Sequence, residues 1–166
     1  MKLLGPVDDG TDRIIARRAV LSILAGSLVT LIPVVAKVPF LPPFGLMMLL
    51  GWRLLRPHTL PIWAAAPLGL FDDLVSGQPL GSAMLLWQLC MLMLDFVDTR
   101  MMTRDFWQDW LLAGGSIALS LVLGRAFATS LGAHVDTALL FQIIVSVALF
   151  PLATRLCTAL GGREDE

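Results

Sequence analysis

The stretch LPPFGLMMLLGWRLLRPH, residues 41–58, decides the fold, because it is too short for an ordinary membrane span and too apolar for a loop. From Pro42 to Leu55 it offers about 14 residues, where a spanning helix uses about 20 within a range of roughly 17 to 25. Pro39, Pro42 and Pro43 delay its helix, since proline lacks an amide donor and restricts the residue before it. Counting the stretch gives an even number of spans and puts both chain ends on one side of a membrane. Dropping it puts them on opposite sides.

The remainder of the chain makes the membrane setting plain. Hydrophobic residues reach 57%, charged residues only 15%, and mean hydropathy is +0.79. Soluble domains run at about 45–50% apolar and about 25% charged. Five further apolar segments flank the short one: Ala19 to Val38, Thr59 to Val75, Gly81 to Phe96, Trp107 to Ala128 and Thr137 to Thr158. The first is about 20 residues long with no small-x-small cleavage site, so it reads as a retained span rather than a signal peptide.

Charge then arbitrates the count, since cytoplasmic loops carry the excess of Lys and Arg. With six spans and the N-terminus inside, Lys2, Arg13, Arg17, Arg18, Arg53, Arg56, Arg100, Arg104, Arg155 and Arg163 are cytoplasmic, ten against Lys37 and Arg125 outside. The expectation is an all-α, polytopic six-helix membrane bundle with both termini cytoplasmic. Residues 1–18 form an N-terminal arm, 19–158 the transmembrane domain and 159–166 a C-terminal tail. Trp52, Trp63, Trp107 and Trp110 fall at cytoplasmic ends, where indole rings favour the headgroup level, and Trp87 lies deeper.

Lipid tails are as apolar as leucine, so helices in a bilayer associate where small residues allow close approach. Such residues recur at four-residue spacing as Ser22, Gly26 and Thr30 in the first span and as Ser116, Ser120 and Gly124 in the fifth. In the third span Ala65 and Gly69 share that face with Asp73. Pro33, Pro61, Pro67 and Pro151 lie in or at the ends of spans, where an interior proline bends the helix.

Asp72 and Asp73 are the carboxylates that need a reason, in GLFDDLVSGQPLG, residues 69–81. Asp73 lies on the order of 5 Å inside the outer boundary, and Arg125 roughly 27 Å along an outward-running helix in a core of about 30 Å. Their similar depth suggests that Arg125 pairs with Asp73 or Asp72. An aspartyl protease dyad is disfavoured, because the nearest carboxylate on another helix, Asp95, sits about 16 Å deeper, out of reach without a broken helix, and a shared proton needs close contact. Asp95 is expected to meet an arginine such as Arg53 or Arg155.

Cys90 and Cys157 have no ligand-spaced neighbour, and His58 and His134 lie near opposite faces, so no metal is expected. No nucleophile sits in an acid-base setting and no phosphate-cradling glycine loop occurs. No catalytic residue, cofactor or nucleic-acid surface is expected.

Residues 69–81 resemble the rod shape-determining protein MreD family, which carries Gly-x-x-x-Asp-Leu-x-x-Gly-x-x-Leu-Gly at the outer end of the third span. The match runs through Gly69, Asp73, Leu74, Gly77, Leu80 and Gly81, with Pro79 in the turn. The proline-led second span ending in an aromatic residue and Pro-His, and Pro151 in the sixth, look like the family too. Asp72 departs from the pattern, since the family usually has an apolar residue there.

The resemblance implies a non-enzymatic inner-membrane component of the bacterial cell-elongation complex that helps position peptidoglycan synthesis and maintain rod shape. It implies direct binding of MreC, with MreB, RodA and its transpeptidase partner in the same complex, and contact with membrane lipid. Gly69, Asp72, Asp73, Gly77, Pro79, Gly81 and Arg125 become its structural or partner-binding residues. The family is similar in architecture to the membrane substrate-binding subunits of energy-coupling-factor transporters. That similarity implies an outward-facing cavity and, as the alternative function, a small-molecule-binding or transport subunit.

Overall fold

The computed structural model describes residues 9–31, 42–100, 106–128 and 137–161. Among them the chain is all helical: α1 Asp9–Leu28, α2 Phe44–Leu55, α3 Ala65–Ser76, α4 Ser82–Arg100, α5 Phe106–Ala128 and α6 Thr137–Gly161. Short 3-10 turns at Val29–Leu31 and Ile62–Ala64 follow α1 and lead into α3.

The short stretch of residues 41–58 holds the centre. Helices α1, α3, α4, α5 and α6 close a ring in which each packs on the next, and α2 runs inside it, touching all five. A helix surrounded in this way has to be apolar all round, and Gly45 to Arg53 are buried without interruption. Glycines set how closely the neighbours approach. A Cβ on Gly26 of α1 would come within 3.0 Å of the Phe44 backbone, and one on Gly51 within 2.9 Å of the Cys157 sulfur on α6. A Cβ on Gly45 would strike the Ser27 hydroxyl and come within 2.9 Å of the Trp87 ring.

Length mismatch has a consequence at each end of α2. Twelve residues span about 18 Å, while the 19 and 25 residues of α4 and α6 span about 28 and 37 Å. Space is therefore left beyond both ends of the central helix. A cavity of about 450 Å³ lies at its start, bordered by Pro43 and Leu46. One of about 650 Å³ lies at its end, bordered by Arg53, Pro57 and His58.

Ser82–Arg100 and Leu139–Gly161 are each long and apolar enough to cross a membrane, and α2 is a shorter apolar helix. The outer faces of the ring are apolar as well: Leu85 and Leu92 on α4, Leu111 on α5, and Ile144 and Leu152 on α6 are at least half exposed. Water would penalise such a surface, whereas lipid accommodates it.

Three expectations change. The first helix begins at Asp9 and ends at Leu28, about ten residues earlier than the apolar run from Ala19 suggests. A 3-10 turn, Val29–Leu31, follows it. Arg13, Arg17 and Arg18 thus ride on α1 rather than preceding it; the remainder of that expected span, residues 32–38, lies outside the described residues. Trp52 is not a headgroup anchor: it is 1% exposed, and its indole N–H donates to Ser22 Oγ at 2.8 Å. Arg53, expected in a cytoplasmic loop, is 5% exposed inside the bundle. Both follow from the central position of α2, which turns its whole circumference inward.

Gly26→Val is expected to cost about 1–3 kcal/mol, because the added atoms meet backbone that cannot rotate away. Gly115→Ala, whose Cβ meets nothing within 4 Å, should be neutral or stabilising by about 0.5–1 kcal/mol through helix propensity. Thermal unfolding of the two variants in detergent checks the contrast.

Candidate functional site

The chain reverses between α3 and α4 in five residues, and the sequence of that turn explains how. Gly77 ends α3 at φ 69°, a left-handed conformation that glycine adopts without strain, and its N–H donates to the Asp73 carbonyl at 3.1 Å. Pro79 then offers its carbonyl to the Ser82 N–H at 3.1 Å, and Gly81, at φ 93°, turns the chain into α4.

The first amides of any helix lack partners within the helix and carry the positive end of its dipole. Asp73 answers that need from the neighbouring helix. Its Oδ1 accepts from the Ser82 hydroxyl and the Ala83 N–H, both at 2.9 Å. Its Oδ2 accepts from the Gly81 N–H at 2.9 Å and the Met84 N–H at 3.3 Å. The side chain is 1% exposed, so these charge-assisted bonds work in a low dielectric. Gly69 makes the approach feasible, since a Cβ there would sit 2.7 Å from the Ala83 carbonyl oxygen. Ala65 continues the same buried face.

The expected pairing of Arg125 with Asp73 therefore does not form: both carboxylate oxygens are filled by the first turn of α4. The competing donors lie eight to eleven residues away in sequence and are delivered by the turn, which depth along a helix axis does not register. Asp72 faces elsewhere. Its Oδ1 lies 3.3 Å from where a Cβ on Gly45 would stand, beside the Ser27 hydroxyl and against the first turn of α2. Asp72 and Arg125 border the same cavity at the start of α2, without a salt bridge between them.

The remaining small-residue positions sit between helices. Ser22 accepts from Trp52 and donates to the Ala19 carbonyl at 2.8 Å. Thr30 lies in the turn after α1, and its side chain is outside the described residues. Ser116 and Ser120 of α5 are buried against Cys90 of α4, whose sulfur lies 3.2 Å from Ser120 Oγ and 3.7 Å from the Ser116 carbonyl. Gly124 abuts Leu86.

A second polar cluster closes the other end of α2. Arg53 bridges Asp95 at 2.9 Å and Asp98 at 3.0 Å on α4 and donates to the Pro57 carbonyl at 2.7 Å. The expected Arg53 and Asp95 pair thus forms. Asp98 was not anticipated, although its spacing of three from Asp95 on one helix was a readable signal. Among the described residues no cluster of His, Cys, Asp and Glu could hold a metal ion.

These features define an all-helical membrane protein whose buried charges lock one helix to another. A family model described as rod shape-determining protein MreD matches residues 13–160. The chain belongs to the MreD family, a family of shape-determining structural proteins, and its role lies in rod shape determination. No curated protein and no solved structure matches it, so the likeness to energy-coupling-factor subunits has no structural match behind it.

Asp73→Ala, which strands buried amides at the start of α4, is expected to cost about 2–5 kcal/mol. Asp73→Asn keeps one acceptor and should cost less, while Asp72→Asn should cost under about 1 kcal/mol. Arg53→Ala is expected to lose about 1–3 kcal/mol by removing the bridges to Asp95, which is 41% exposed, and Asp98, a loss that adding Asp95→Asn partly offsets. Unfolding in mixed micelles ranks all five; equal losses for Asp73→Ala and Asp72→Asn would contradict the capping role.

Proposed function

We propose that the chain is a non-enzymatic scaffold of the bacterial inner membrane that binds MreC. Through it the chain joins MreB, RodA and the transpeptidase partner of RodA in the cell-elongation complex and helps to position peptidoglycan synthesis. In this reading the bundle is embedded through residues 19–158, both termini are cytoplasmic, and residues 1–18, with the first turns of α1, and 159–166, with the last of α6, flank the transmembrane domain.

One observation carries the reading: the family pattern splits into two kinds of residue. Gly69, Asp73, Gly77 and Gly81 are occupied inside the α3–α4 turn. Leu74 and Leu80 of the same pattern are 65% and 70% exposed and contribute nothing to it. A turn locked from within presents its outer leucines at fixed positions, which suits a surface that receives a partner helix. Leu70 and Leu85 extend that surface along α3 and α4. The MreC membrane segment, packing there, would be held by side-chain contact.

Single cysteines at Leu74, Leu80 and Leu85 are expected to crosslink to cysteines in the MreC membrane segment, and one at Ile144 on the far side of the bundle is not. Depletion should round rod-shaped cells. Intact rods in a clean deletion, with no MreC copurifying in detergent, would refute the reading.

A further inference from the structure

The cavity at the start of α2 has features that a purely mechanical scaffold does not require. It lies between helices that α2 is too short to fill, and its borders carry opposite charges, Asp72 and Arg125. Its deeper wall is apolar, formed by Leu46, Leu86 and Leu121, with Trp87 beside Asp72. Gln78 and Gln142 add amide groups at the rim. A volume of about 450 Å³ falls within the roughly 300–1,000 Å³ of small-molecule sites.

Asp72 is the unbalanced member. The charge closest to it is Asp73, another carboxylate, whose oxygens are already occupied, and its other polar neighbour is the uncharged Ser27 hydroxyl. Among the described residues no cation lies within ion-pair distance of Asp72. A carboxylate set against an indole ring is suited to an ammonium group, which both attract. Arg125 offers a planar fork of donors that matches phosphate.

We propose that this cavity binds a zwitterion, with its ammonium at Asp72 against Trp87 and its phosphate at Arg125. The matching chemistry is that of phosphoethanolamine, carried either by an aminophospholipid, whose glycerol and first acyl carbons would follow Leu46, Leu86 and Leu121, or by the free headgroup compound. The site is independent of partner docking, because it faces the interior at α2 while Leu74 and Leu80 face outward.

The test is native mass spectrometry of the full chain in detergent with equimolar phosphatidylethanolamine and phosphatidylglycerol. The wild type should retain the ethanolamine lipid over the glycerol lipid by about tenfold, the size of one charge-assisted contact. N-acetylated phosphatidylethanolamine, which lacks the cation, should bind the wild type no better than phosphatidylglycerol; this arm needs no variant. Asp72→Asn should bring the ratio to near one and Asp72→Glu should keep it, while Arg125→Gln should weaken both lipids and leave their ratio unchanged. Thermal unfolding of each variant confirms folding. Displacement by millimolar phosphoethanolamine assigns the site to the free headgroup compound, and resistance to it assigns the site to lipid. Equal retention of the two lipids by the wild type, or a preference that survives both N-acetylation and Asp72→Asn, overturns the proposal.

Discussion

A helix packed on all sides by other helices is the constraint on which this structure depends. Five helices contact α2, so it can expose nothing and must be slim where its neighbours cross. The sequence meets both demands: its middle is leucine and methionine, and Gly45 and Gly51 stand where α1, α4 and α6 come closest. The single charge that remains buried there, Arg53, is tolerated because Asp95, Asp98 and the Pro57 carbonyl surround it. Desolvating a guanidinium is costly, and the partners on its two terminal nitrogens offset that cost while Nε stays without one.

The two polar clusters act as clamps at opposite ends of the bundle. At the end where α4 begins, Asp73 ties α3 to the first turn of α4; where α4 ends, Arg53 ties α2 to its last turns. Both are charge-assisted contacts, the Asp73 cluster buried and the Arg53 cluster half-open at Asp95, and such contacts matter more where helix association has little hydrophobic drive. Rigid ends leave the outer faces free to be shaped by selection for lipid or partner contact, and the exposed leucines of the α3–α4 turn lie directly beside such a clamp.

The adjacent aspartates illustrate how a small rotation divides labour. Successive residues on a helix differ by about 100°, enough to send Asp73 toward α4 and Asp72 toward α2. Two carboxylates that suggest a catalytic dyad when read in line belong to different helix interfaces. Asp73 is consumed by hydrogen bonds that hold the fold together; Asp72 stands at a cavity border.

By itself the sequence determined the helical class, the membrane setting and the place of the α3–α4 turn. Those depend on composition, apolar run length and the freedom of Gly77 and Gly81, all of which act within a few residues. The pairing of Arg53 with Asp95 was legible for the same reason, since both lie at matching levels of neighbouring spans. Only the tertiary structure decided that the shortest apolar helix is central, that Trp52 points inward, and that Asp73 binds amides of α4 rather than Arg125. Each of these depends on which helices cross and how they are rotated about their axes. Hydropathy measures how apolar a helix is, and helix packing alone fixes which neighbour each face meets.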